Sequence, residues 1–259
     1  MGYRDLLAGR GDVHVWFVEL TADIDTVEAC THCLSEEEKV RASRFRMEHL
    51  STDFVLSHGA LRALLGCYLD TSPERIVFAQ GPRGKPRVSY PGAELKFNMA
   101  HAGRFAAYAL GVDCEVGIDI EAIRPMPDQE SVVRRFFSRE ECEDWLAFDI
   151  AERNEAFFRC WTRKEAFIKA LGEGLSKPLD SFRVSLLPEA PAASVYVAGD
   201  PAATAKWSLH SLVPAEGYVA ALAVPMPQCH VSIFPRLTAT DLLNSTAGPG
   251  AFPPPAESL

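Results

Sequence analysis

The segment Phe105-Ala-Ala-Tyr-Ala-Leu110 returns, roughly a hundred residues further on, as Tyr218-Val-Ala-Ala-Leu-Ala223. That spacing is the size of a small domain. A chain of 259 residues repeating on it is expected to fold as two similar α+β halves. The pattern around each copy agrees. Residues 53–68 place Phe54, Leu61, Leu65 and Tyr68 at helical spacing, and short strands are expected at 76–79, 95–99 and 105–110. A second long helix runs from about residue 154 to 171 and closes at Gly172 and Gly174, with strands expected at 182–186, 194–197, 206–212 and 218–224. Ahead of the first helix, residues 13–20 read as a strand, and 34–46 as a helix opened by the Ser35/Glu38 capping box. The expected boundaries are 1–112 for the first half and 113–228 for the second. Residues 229–259 form an extension, rich in Pro, Gly, Ala and Ser from Asn244 and expected to be partly disordered.

Composition narrows the class. A hydrophobic fraction of 47% supports a substantial core, while no apolar run reaches the roughly 20 residues of a membrane helix. The start, Met-Gly-Tyr-Arg-Asp-Leu, has no signal-peptide core, and Leu6 stands where a myristoylation signal wants Ser or Thr, so a cytoplasmic protein is expected. Seven cysteines without a secretion signal read as reduced thiols; Cys30 and Cys33 around His32 make a single CxxC, better taken as a loop coincidence than a zinc site. A net charge of −9 excludes a general nucleic-acid binder and makes any anion site depend on a local cluster of cations.

Two segments concentrate acidic chemistry. In Cys114-Glu-Val-Gly-Ile-Asp-Ile-Glu121 the strand period puts Cys114, Val116, Ile118 and Ile120 on one face. Glu115, Gly117, Asp119 and Glu121 share the other, with Gly117 leaving room for a ligand. Two carboxylates this close call for a cation or proton between them, and hard oxygens suit Mg²⁺; a solvated, charge-blunted strand edge is the competing reading. On the helix Phe157–Lys169, Trp161, Glu165 and Lys169 share a face, where Glu165 and Lys169 alone would be a surface ion pair. If that face meets Asp119 and Glu121, a metal and phosphate site results. The candidate cations are Lys39, Arg41 and Arg44, together with Arg83, Lys85 and Arg87 on a loop stiffened by Gly84 and Pro86, and His101 at a strand end.

These stretches occur together and in order: Phe54-Val-Leu-Ser-His-Gly-Ala-Leu-Arg62, Gly84-Lys-Pro86, Phe97-Asn-Met-Ala-His101, Val116-Gly-Ile-Asp-Ile-Glu121, Phe136-Phe-Ser-Arg-Glu-Glu141, and Trp161-Thr-Arg-Lys-Glu165 through Lys169 to Gly172-Glu-Gly-Leu175. In them the chain resembles the larger, monomeric class of 4′-phosphopantetheinyl transferases. The resemblance implies a pseudo-twofold pair of α/β subdomains with the active site in the cleft between them. It implies transfer of 4′-phosphopantetheine from coenzyme A to a serine of apo acyl or peptidyl carrier proteins, with release of 3′,5′-ADP. By the same resemblance Asp119, Glu121 and Glu165 bind Mg²⁺, and Lys169 and His101 contact phosphates. Lys85, framed by Gly84 and Pro86, holds the nucleotide end, and Arg41, with Lys39 and Arg44 beside it, binds a phosphate. Glu141 aligns with a proposed general base, and Glu165 is its rival. The chain departs from the family pattern at Ala100 and Ala102, where serines are common, and at Glu38, which can be basic, so that Lys39 or Arg41 must carry the 3′-phosphate contact. The alternatives are a Mg²⁺-dependent nucleotide-pyrophosphate hydrolase, which would need no carrier, and a non-catalytic carrier-docking module. No nucleic acid or membrane partner is expected, and the chain is expected to be monomeric.

Overall fold

A computed structural model describes residues 11–81, 83–92, 94–172, 174, 177–188, 195–197, 200–227, 229–245 and 253–259. The N-terminal residues read for targeting, parts of the Gly172–Leu175 stretch, Ser194 and residues 246–252 of the tail lie outside these. The chain opens with β1 (Asp12–Glu19), α1 (Ile24–Cys33), α2 (Glu36–Ser43) and α3 (Glu48–Leu69). Strands β2 (Val77–Gln80), β3 (Pro86–Tyr90), β4 (Leu95–Ala102), β5 (Phe105–Val112) and β6 (Gly117–Ala122) follow. Then come α4 (Gln129–Phe136), α5 (Arg139–Ala147), α6 (Ile150–Leu171), β7 (Phe182–Arg183), β8 (Tyr196–Val197) and α7 (Pro201–Lys206). The chain finishes with β9 (Ser208–Leu212), β10 (Tyr218–Val224), β11 (His230–Ile233), β12 (Leu237–Thr238), α8 (Ala239–Ser245) and β13 (Glu257–Ser258). It divides into two compact units, one built from the residues up to 79, 86–113 and 230 onward, the other from 80–85 and 114–229.

In the first unit β1 is the spine. Its near-continuous apolar run, Val13 to Val18, is buried on both faces, as a strand covered from either side must be. It pairs antiparallel with β5 and parallel with β11 and β12, in a sheet of order β13-β11-β1-β5-β4. Helix α3 packs beside α1 across Gly59, where a Cβ would come within 2.6 Å of Cys30 Cβ. The expected C-terminal extension is therefore a structural part of this unit. Phe234 stacks on Trp16 at 3.9 Å, and Ala239 and Leu242 of α8 are fully buried. Strands of four and two residues, β11 and β12, are too short for periodicity to reveal; their partner β1 decides them.

The second unit sets β6, β10 and β9 in one antiparallel sheet, in that order, with α6 laid across it. Each unit, taken by itself, reads strand, helices ending in one of 22 residues, two-stranded ribbon, two strands. In each, the last strand takes the middle of an antiparallel triplet, β1-β5-β4 and β6-β10-β9. The echoing segments seen in the sequence are these central strands, whose small apolar residues suit burial on both faces. The repeat begins three elements earlier, at β1 and β6, than the long helices from which the sequence pattern counted it.

Five helices among the described residues, α1, α4, α5, α7 and α8, escaped the sequence reading. The Cys30/Cys33 pair is not in a loop but on α1, capped by Asp23, and burial pushes the two thiols up to about 12 and about 11. α4, α5 and α7 have six to nine residues, too few for a helical period to stand out. The Arg83–Arg87 segment is a loop only in part, since Pro86 opens β3.

Gly117 carries the packing of the second unit. A Cβ there would overlap the carbonyl of Ala166 and the amide of Ala170 on α6, so the absent side chain admits a helix and not, as expected, a ligand. Gly117→Ala should destabilise the protein by about 3 kcal/mol, read by urea unfolding, because neither contact is a side-chain tip that can move aside.

Candidate active site

Because α6 lies over the Gly117 face of β6, the side chains two and four residues further along that strand meet the helix. Asp119 is 6% exposed, and its Oδ1 accepts a hydrogen bond from Lys169 Nζ at 2.6 Å. Its Oδ2 is buried with no hydrogen-bond partner among the described residues. Burial pushes the Asp119 carboxyl up to about 7; Lys169 opposes the shift, and the charges of Glu121 and Glu165 add to it. Glu165, one helical turn before Lys169, is likewise raised by burial, with Lys169 opposing and Glu121 adding. Glu121 is held by Arg124 at 2.9 Å. Three carboxylates thus repel one another around an unspent buried lone pair, an arrangement that favours a further cation. Among the described residues no three His, Cys, Asp or Glu side chains already stand as a metal cluster, and Lys169 and Arg124 neutralise the carboxylates in its place. The orphaned oxygen and the hard donor set fit Mg²⁺. Trp161, expected to be buried on this stripe, is half-buried and packs on Phe157 and Phe136.

Glu141 does not join the site. It is wholly buried as the third residue of α5, completing a capping box with Ser138. One of its oxygens accepts from Val184 N at 2.8 Å; the other meets Ser138 N and the equally buried Lys164 Nζ, each at 2.7 Å. Lys164 spends its remaining protons on the carbonyls of Leu179 and Phe182, beneath which the Phe182 ring lies 4.3 Å away. A carboxylate so occupied has no oxygen to offer a substrate, which corrects its expected role as general base. The first unit repeats the same device. Glu38, third residue of α2 and completing a capping box with Ser35, pairs at 2.6 Å with Arg62, which is 2% exposed on α3. Arg62 in turn donates to the carbonyls of Pro73 and Ile76 and lies over Phe78. An acid at position 38 is therefore structural.

Lys85 also departs from expectation. Its ammonium donates to Glu115 Oε2 at 2.7 Å and to the carbonyls of Val116 and Ala170 at 3.0 and 3.3 Å, pinning the loop across one end of the β6–α6 seam. Gly84 supplies a left-handed turn at φ 86° before it, and Pro86 starts β3 after it. As it stands, the loop is a brace for the second unit, with Lys85 only partly exposed.

The cations of the first unit gather about one ring. Arg41 lies 5.0 Å over Phe54, and His58 stacks on the same ring at 3.8 Å. Burial pushes His58 down to about 4; the nearby charges of Arg41 and His101 lower it further, against Glu38 and a bond to the Phe54 carbonyl. His58, Arg41 and the exposed His101 at the end of β4 thus feel one another's fields. His58 was given no role in the sequence reading; its only signal was its place four residues after Phe54 within a matched stretch. Lys39 instead pairs with Glu36 at 2.8 Å, and Arg44 caps α2, exposed.

Two outcomes test this geometry. In metal-free, chelated solution Asp119 is more readily protonated folded than unfolded, so it favours folding most below about pH 4 and loses that contribution as pH rises through about 7. Unfolding curves should show stability falling over that window, Asp119→Asn should flatten the slope, and added Mg²⁺ should restore wild-type stability near pH 8. Glu141→Gln strands Lys164 as a buried unpaired charge and should cost about 3–5 kcal/mol in urea unfolding.

Comparison with known proteins agrees with the sequence resemblance. Residues 115–223 match the family model of the 4′-phosphopantetheinyl transferase superfamily, and residues 21–112 match that of the 4′-phosphopantetheinyl transferase N-terminal region. The 4′-phosphopantetheinyl transferase HetI of Nostoc sp. is 36% identical over 82% of this chain and 87% of its own length. The 4′-phosphopantetheinyl transferase Sfp of Bacillus subtilis is 34% identical over 59% of this chain and 66% of its own. With a relative this similar over nearly its full length, the chain belongs to the 4′-phosphopantetheinyl transferase superfamily.

Proposed function

We propose that this transferase moves the 4′-phosphopantetheinyl group from coenzyme A to a serine of apo acyl or peptidyl carrier proteins. The observation that carries the reading is Asp119, with one oxygen on Lys169 and the other buried and unpartnered beside Glu121 and Glu165. Asp119, Glu121 and Glu165 would hold Mg²⁺, which when bound supplies charge neutralisation for the pyrophosphate of coenzyme A. Lys169, anchored at Asp119, offers its remaining protons to phosphate oxygens. Within the first unit Arg41 and His101 are the proposed anion contacts, with His58 kept neutral and able to accept or donate without adding charge. The seryl oxygen attacks the phosphorus that bears the pantetheine arm, the P–O bond to 3′,5′-ADP breaks, and the seryl proton passes to a base. Glu165 is that base in this proposal, through the carboxylate oxygen not given to the metal, while Glu141 is wholly buried. Gathering opposed charges around a polyanion is most of what such a transfer requires.

The seven free thiols fit a reducing compartment, and a cytoplasmic monomer is part of this proposal. Among the described residues no helix is long and apolar enough to cross a membrane.

Intact-mass spectrometry of an apo carrier protein incubated with the enzyme, coenzyme A and Mg²⁺ tests the reading. The carrier should gain one phosphopantetheinyl group, and chelation should abolish the gain. Glu165→Gln should slow it by about 10²–10⁴-fold. The folded fraction of Glu141→Gln should keep the wild-type pH–rate profile. No gain on several carriers, with coenzyme A bound, would overturn the assignment; a Glu141→Gln enzyme that is stable yet has lost the acidic limb would return the proton to Glu141.

A further inference from the structure

The second unit holds a cavity of about 720 Å³ that none of the carboxylates of the candidate centre lines. Ala147, Phe148, Val184 and Leu186 give it an apolar floor, and Leu187 and Tyr196 stand 60% and 55% exposed at its edge. Its wall is braced from behind: buried Arg163 donates to the carbonyls of Ser185 and Leu187, and Arg159 to that of Leu186. Asp144, Asp149, Glu152 and Arg183 supply its charge.

The charges do not cancel. Arg183 is already bound to Asp144 at 2.6 Å. Asp149 caps α6 but its side chain accepts no capping hydrogen bond, and among the described residues neither it nor Glu152, both exposed, pairs with a cation. Arg153, on the same turn, is spent on the carbonyls of Leu146 and Phe148. Among the described lining residues three carboxylates against one guanidinium leave a formal −2, and the positive end of the α6 dipole offsets only about half a charge of it. Apolar volume of this size is typical of a small-molecule pocket, and its unpaired polar groups are all of one sign.

We propose that this cavity binds a small organic cation, an ammonium or amidinium joined to an aromatic or branched aliphatic body. The body lies on Phe148, Leu186 and Leu187, the charge sits between Asp149 and Glu152, and the Tyr196 ring face adds a cation–π contact. The site is separate from the transfer chemistry and does not depend on it.

An amide-resolved NMR titration of the full chain with phenylbutylammonium tests this, with phenylbutanol as the uncharged counterpart. Saturable shifts should gather at residues 144–152, 183–187 and 196, and the alcohol should bind about tenfold more weakly, the worth of one charge-assisted bond. Asp149→Asn with Glu152→Gln should weaken the ammonium by a similar factor and leave the alcohol unchanged; Tyr196→Ser should weaken both. Equal affinity for the two probes, insensitivity to the carboxylate substitutions, or shifts elsewhere or absent at saturation would each overturn the proposal.

Discussion

Each unit is organised around a cation buried on its long helix. Arg62 on α3 and Lys164 on α6 pair with the glutamate that closes the capping box of the preceding helix, Glu38 and Glu141. Each then donates to two carbonyls just beyond its own helix and lies over a phenylalanine there. A buried charge is tolerable only when its partners are complete, so the arrangement ties together two helices and the turn after them, or fails as a whole. The strands, ribbons and loops of each unit are hung on that tie.

In the second unit the tie has a consequence for chemistry. Lys164 fixes the rotation of α6 on its inner side. Gly117 lets the helix sink onto β6, and Lys169 then reaches Asp119. Glu165 lies between the two lysines and is brought to the carboxylates of β6 by the same rotation. The cost of burying Asp119 and of setting Glu121 and Glu165 near it is met only in part by Lys169 and Arg124, which leaves an orphaned oxygen and a carboxyl at about 7. Such residual electrostatic frustration belongs to a place that waits for a ligand.

Much of the local structure was legible. Ser35 and Ser138 each precede a glutamate by three residues, the signature of a capping box, although only the first was read as one. The long helices showed their apolar spacing, and the strand period put Asp119 and Glu121 on one face. What misled was the use of those residues. Glu141 and Lys85 look like exposed functional groups because nothing local marks them as buried or spent. Their partners Lys164 and Ala170 lie far along the chain. The short strands of the C-terminus were illegible for a related reason, since a strand of two to four residues takes its conformation from its neighbour.

By itself, then, the sequence determined the family, the α+β class, the repeated order and the identity of the acidic and basic residues that meet on α6 and β6, because those follow from short-range periodicity and ordered motifs. Tertiary structure alone decided which charges are free to act. Whether a glutamate is a base or a strut depends on its dehydration and on the donors it already serves, and these come from residues distant in sequence that folding brings within 3 Å.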